Sequence, residues 1–278
     1  MYASQGRVCA YCGCELQRGN RGDVDHFRPK ARIADEREAL GYWWLAYEFG
    51  NYLLACRTCN STYKQNRFPL APGEERIRFE TRHRLAEEAR LLLDPCADDI
   101  EQLLSVDLTN VLVPVVPKPG LASPAIARVK HTIEFFGMNA QPELTKARMR
   151  IAAKVRRALD ANQPGKVRAL AIRYRPHSLV ARQLLERHGE GLLPSPAEEV
   201  EWLMRDMKRT LRLTLQLELA SSHARDQERL RRDRMELLWS FAVLAAGTPG
   251  DLQANINAFV DRLGLRPHIR QYCDELAK

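Results

Sequence analysis

No stretch of this sequence approaches the ~18 consecutive apolar residues that a membrane-spanning helix needs, so no such helix is expected. The segment from Met1 to Leu16 lacks the basic-then-apolar order of a secretion signal, because cysteines and Arg7 interrupt it. A cytoplasmic location without membrane partners is the expectation. Nor is there a glycine-rich loop of the kind that cradles nucleotide phosphates, so any ATPase function must reside in another chain. Aromatic residues are sparse, at 7%. They are concentrated in Tyr42-Trp43-Trp44-Leu45-Ala46-Tyr47, which is expected to supply core to a small domain.

What is present is ordinary in amount and uneven in distribution. The 278 residues are 45% hydrophobic and 28% charged, enough for one large domain or two modest ones. The formal net charge is +8. Residues 1–124 carry 16 Lys and Arg against 17 Asp and Glu, whereas residues 125–278 carry 27 against 18. The positive surplus therefore lies wholly in the C-terminal half. That points to a polyanionic partner, nucleic acid first of all, with solvated helix faces as the plain alternative.

Seven cysteines, an odd number, argue against a disulfide scaffold. Four form two pairs, Cys9-Ala-Tyr-Cys12 and Cys56-Arg-Thr-Cys59. Each short turn lets two thiolates converge on one edge of a tetrahedral Zn²⁺, and two such knuckles close a structural site. Cys14, Cys96 and Cys273 have no partner at ligand spacing and read as packing residues.

The 43 residues between the knuckles exceed what a simple zinc ribbon needs. Gly22-Asp23-Val24-Asp25-His26-Phe27 alternates like a strand and is ended by Pro29. Residues 31–39 suit a short helix, and Tyr52-Leu53-Leu54-Ala55 runs into the second knuckle. A helix is expected from Asn60 to Asn66. A proline-rich stretch follows, with Leu91-Leu92-Leu93 and Val111-Leu112-Val113 as short strands or extended connectors. Beyond Pro124 the period is helical: Leu144, Ala147, Ile151, Val155 and Leu159 share a face, opposite a basic stripe of Lys146, Arg150, Lys154 and Arg157. Ser195-Pro196-Ala197-Glu198 reads as a capping box. From Leu211 to Leu219 leucine recurs at every second position, a strand's period, although helical signal on both sides favours helix.

Asp25-His26, Asn51 and Asn60, set between and just after two zinc knuckles, resemble the HNH endonuclease family over residues 7–68. Val24-Asp25-His26-Phe27-Arg28-Pro29-Lys30, the 42–47 aromatic run and Asn66-Arg67-Phe68-Pro69-Leu70 are similar to one HNH subgroup. That subgroup includes the nuclease components of Septu-type and retron-linked anti-phage systems, which work beside an ATPase. Leu93-Asp94-Pro95 and Thr132-Ile133-Glu134-Phe135-Phe136-Gly137-Met138-Asn139 are looser matches.

The resemblance implies a ββα-metal module at 1–70; proline content, charge and helical period add a connecting segment at 71–124 and a mostly helical, basic domain at 125–278, an α+β chain as a whole. The resemblance also implies hydrolysis of phosphodiester bonds, with DNA as the first candidate. Imidazole titrates near pH ~6.5 and can act as base, the role of His26. A hard cation, Mg²⁺ or Mn²⁺, stabilises the leaving oxygen, with Asp25 and Asn60 as its oxygen ligands. Asn51 orients His26, while Arg28, Lys30, Lys64 and Arg67 are candidates for phosphate contact. Two rivals remain. One is a non-catalytic zinc module that only binds nucleic acid; the other is an adaptor subunit, silent until assembled with its ATPase. The remaining histidines, at 83, 131, 177, 188, 223 and 268, read as structural or exposed.

Overall fold

A computed structural model of the chain describes residues 7–16, 22–34, 36, 40–173, 175–189, 192–195, 198–199 and scattered positions between 201 and 231. Two compact units divide the chain, one at 7–199 and the other at 1–6 with 200–278. The zinc-knuckle segment, the proline-rich segment and the helices up to residue 188 all belong to the first. It mixes helices with two small two-stranded sheets.

The first sheet pairs β1 (Asp23–His26) with β2 (Tyr52–Ala55) antiparallel, setting Asp25 opposite Leu53 and His26 opposite Tyr52. Gly22 enters β1 at φ +76°, where an added Cβ would sit 2.5 Å from the Ala55 carbonyl oxygen, so only glycine fits this entry. The second knuckle follows β2 and leads into the expected helix, here Thr58–Lys64. It is wound with five-residue hydrogen bonds, as in the 2.6 Å bond from Gln65 N–H to the Asn60 carbonyl. Such π-helical turns occur mostly as isolated features, often at functional sites.

Two expectations shift in the region that follows. Residues 30–34 form bends and a turn rather than a helix, and 35 and 37–39 lie outside the described residues. The short strands are β3 (Leu104–Val106) and β4 (Val115–Pro117), not 91–93 and 111–113. Residues 107–113 are consumed by the connecting turn. Asn110 accepts from Leu112 N–H through its side chain and from Val113 N–H through its carbonyl, and Val113 sits at φ +48°. A four-residue helix, α1 (Ile100–Leu103), precedes β3 and is capped by the Asp99 carboxylate.

Four longer helices complete the unit: α2 (Ser123–Phe135), α3 (Pro142–Asp160), α4 (Pro164–Ala171) and α5 (Ser178–His188). The first three carry proline in the opening turn, where its missing N–H costs no helical bond. Val155 and Ala158 of α3, Val167 and Ala171 of α4, and Ala181 and Leu185 of α5 form a shared core. The buried face of α3 is Leu144, Arg148, Ala152, Val155 and Ala158, rotated slightly from the expected one. Arg148 goes inward because the turns beside it leave acceptors without donors. Its guanidinium bonds the carbonyls of Val113 and Met138 and the Asn139 side chain. The basic stripe at 146, 150, 154 and 157 is exposed, as expected.

The capping box at 195–198 forms, Glu198 accepting from Ser195 N–H and Oγ while Ser195 Oγ accepts from Glu198 N–H. Within 211–219 the described positions, Leu213 and 216–218, are helical; the others, like Cys273, His223 and His268, lie outside the described residues.

Candidate active site

The first knuckle is the tip of a narrow loop closed by a bridge between Val8 and Glu15, and Ala10 N–H bonds the Leu54 carbonyl of β2 at 2.9 Å. This bond carries Cys9 and Cys12 to the end of β2, where Cys56 and Cys59 begin. The four sulfurs lie within 4.8 Å of one another, with Cys12 and Cys56 at 3.9 Å. Zn–S bonds of ~2.3 Å in a tetrahedron imply sulfur separations of about 3.8 Å. Cys59 N–H points at the Cys56 sulfur at 3.4 Å. The four thiols are therefore placed to hold a metal ion. Cys14 also interacts with Cys9, Cys12 and Cys56, so it is a fifth thiol beside the cluster rather than a distant packing residue. Cys96, by contrast, is exposed.

Strand alternation sends Asp25 and His26 to opposite faces of β1. On the face beneath helix Thr58–Lys64, Asp25 is buried and accepts from Tyr11 Oη at 2.5 Å and from Lys64 Nζ at 3.3 Å. Lys64 is fully enclosed, at 0% exposure, and also donates to the His26 carbonyl at 2.8 Å. Burial pushes the Asp25 carboxyl up and the Lys64 ammonium down, although each charge works against the other's shift. Desolvation thus outweighs attraction in this pair. Asn60, on the same helix, donates through Nδ2 to Asp23 rather than approaching Asp25.

On the other face, His26 meets the Tyr52 ring edge-on at 4.9 Å, and its Nε2 lies 3.0 Å from the Ala46 carbonyl. That oxygen also accepts from Tyr52 Oη at 2.6 Å. A carbonyl can only accept, so Nε2 carries the proton and Nδ1 is left with the lone pair. Asn51 holds the frame of this arrangement without touching His26. Its Oδ1 accepts from Arg28 N–H at 2.7 Å, and its Nδ2 donates to the carbonyls of Arg28 and Leu45. One buried amide therefore ties the chain just after His26 to the loop that supplies the Ala46 carbonyl.

The expected phosphate contacts separate into different environments. Arg28 is buried against Glu88 at 3.0 Å, within a network that continues through Tyr42 to Arg76. Arg67 packs over the Phe135 ring, 4.4 Å from its centroid, and donates to the Tyr63 carbonyl. Lys64 is enclosed as described, and Lys30 is exposed. The aromatic run is core only at Tyr42; Trp43 is 52% and Tyr47 95% exposed, flanking the carbonyl that holds His26.

The partners that the sequence did not announce are Tyr11, Ala46 and Glu88. Tyr11 lies inside the first knuckle, where a large aromatic between ligands is a usable signal. The other two have no local mark. Tyr11 stacks on Phe136 at 4.3 Å, and Gly137, at φ +56°, leaves the space that Tyr63 fills. This gives a physical reason for Phe136-Gly137 at the end of α2. His177 N–H bonds the Gly13 carbonyl at 3.0 Å, and burial lowers its imidazole pKa to about 4, which keeps it neutral.

Among the described residues no helix is long and apolar enough to cross a membrane. No protein-family model and no solved structure matches the chain. A curated relative does, and the chain spans only about a third of its length. Over 116 residues, 37% of this chain and 36% of the relative, the chain is 34% identical to the Septu protein PtuB of Bacillus mycoides (strain KBAB4).

Proposed function

We propose that this protein is an HNH-type endonuclease that hydrolyses phosphodiester bonds of nucleic acid, DNA first, as the effector of an anti-phage system working beside an ATPase. The observation that carries the reading is His26, whose Nε2 is tied to the Ala46 carbonyl so that Nδ1 is free to take a proton. The partial likeness to a Septu protein supports the defence role. The four cysteines are proposed to hold one structural Zn²⁺, which staples the loop carrying Tyr11 to the end of β2.

In this reading His26 Nδ1 removes the proton from the attacking water. Tyr52 and the Ala46 carbonyl fix the ring, and Asn51 fixes the two backbone segments on either side of it. Among the expected phosphate contacts Lys30 is exposed to a strand, whereas Arg28 and Lys64 serve the interior. The resemblance asks for Mg²⁺ or Mn²⁺ on Asp25 and Asn60. The side chains as placed do not fit that group, because Tyr11 and Lys64 engage the Asp25 carboxylate and Asn60 turns to Asp23. This same engagement favours the rival, a module that binds nucleic acid without cutting it.

Plasmid cleavage with Mg²⁺, by the purified protein alone and with its partner, separates the two. His26→Ala should lower the rate by about 10²–10⁴-fold, the usual contribution of a general base, with zinc content and melting temperature unchanged. Asn51→Ala should be milder, since it misplaces the base without deleting it. Equal cutting by His26→Ala and wild type would remove the mechanism and leave the binding module.

A further inference from the structure

The cations of α3 and α4 differ in what surrounds them. Lys146 pairs with Glu143, Arg168 with Glu198, and Arg173, just beyond α4, with Glu101. Lys154, Arg157 and Lys166 are exposed and, among the described residues, form no ion pair. These three converge. Together with Arg175 they rim a cleft of about 420 Å³ between α3 and α4, floored by Ala158 and Leu170, and among the described residues no acidic one lines it.

We propose that this cleft binds the phosphate of a nucleotide unit, free or within a single strand. Lys154, Arg157 and Lys166, unpaired around one concavity, repel one another, and a bound anion relieves that repulsion. Arg157 gives its Nε to the Ala153 carbonyl at 3.3 Å, which leaves the terminal nitrogens of its guanidinium for phosphate oxygens. The volume is that of a small-ligand pocket; it suits one nucleotide and is too small to enclose a duplex. The apolar floor offers a surface to a sugar or a base. Lys146, Arg150 and Lys154 lie four residues apart, about 6 Å along α3. This row leads to the cleft and provides a track for the neighbouring phosphates of a strand. The proposal does not depend on His26 acting as a base.

Binding by the full-length, zinc-replete protein is measured without added divalent cations, so a failure of the nuclease reading leaves the result untouched. Fluorescence anisotropy follows a labelled dodecathymidylate, and calorimetry follows adenosine monophosphate. Wild type should bind the oligonucleotide with an affinity that falls as salt rises, by about 0.7 log units per log unit of salt for each phosphate contact on a single strand. Lys154→Glu combined with Lys166→Glu, both exposed positions, should weaken binding at least tenfold and flatten that slope by roughly 1.4, two contacts at that value. Adenosine monophosphate competing with the oligonucleotide identifies a pocket for a free nucleotide. Oligonucleotide binding alone identifies strand phosphates as the ligand; both results support the cleft. A double variant that melts like wild type and binds both ligands equally well overturns it, as does wild type binding neither.

Discussion

At the scale of single residues, the Asp25–Lys64 pair is the most exacting feature of the site. Both groups are taken out of water, and Lys64 also satisfies the His26 carbonyl. Removing one member of a buried pair strands the other, which typically costs 3–5 kcal/mol, whereas replacing both with apolar groups is often nearly neutral. Lys64→Met alone should therefore destabilise by about that amount. Adding Asp25→Leu should recover most of it, less the loss at the His26 carbonyl and Tyr11. Denaturant unfolding of the three variants gives the coupling, and simple additivity would count against the pair. This partnership was not legible in the sequence. Asp25 stands out for its neighbour His26 and Lys64 as a cation following Asn60, but nothing local says that two residues 39 apart in the chain meet. The cysteine knuckles were legible because both ligand identity and spacing are local. The burial of Arg28 is hidden in the sequence for the opposite reason: its carboxylate partner, Glu88, is 60 residues away.

Elements are most legible where one periodicity dominates. The helices beyond residue 122 follow from apolar spacing and opening prolines, and the basic stripe of α3 faces out as its spacing demands. The inward face was displaced because a buried arginine looks polar in sequence, yet Arg148 carries the carbonyls of two turns. The 42–47 run shows the converse: aromatic content signals burial only on average, and Tyr47 is almost wholly exposed. A second ionic device ties the 90–98 segment to α2. Asp98 accepts from Arg90 at 3.1 Å and Arg128 at 2.7 Å. Burial works to raise its carboxyl, but the Asp94 N–H, the Arg128 bond and the two positive charges outweigh it and hold the pKa below the ordinary value. A carboxylate depressed on folding contributes stability that is fully present above its unfolded pKa of ~3.9 and is lost as pH falls through the folded value. Asp98→Asn should be less stable than wild type at neutral pH, and the difference should shrink as acid is added from about pH 4 downward. Thermal melts over that range measure it; a constant difference would show that Asp98 does not titrate in the transition.

For the molecule as a whole, the decisive interaction is the metal expected at the knuckles. Apparent binding energies of ~10–16 kcal/mol for structural zinc are comparable to the entire stability of a domain. Elemental analysis should find one zinc per chain. A chelator strong enough to remove it, or Cys56→Ser, should lower the melting temperature sharply and abolish any cleavage along with the fold of the module. Zinc-free preparations that melt like wild type would show that the cysteines pack without an ion.

The bond between His177 and Gly13 has a consequence for the making of the protein. Chains emerge from the ribosome at about 5–20 residues per second. Cys9 and Cys12 therefore wait several seconds as bare thiols before Cys56 and Cys59 follow. The loop bearing His177, which supports the first knuckle from behind, arrives seconds later still. Until then the histidine that would cut has been synthesised, but the floor beneath its metal staple has not. A nascent or truncated chain ending before residue 177 carries His26 and all four knuckle cysteines without the contact that braces the first knuckle.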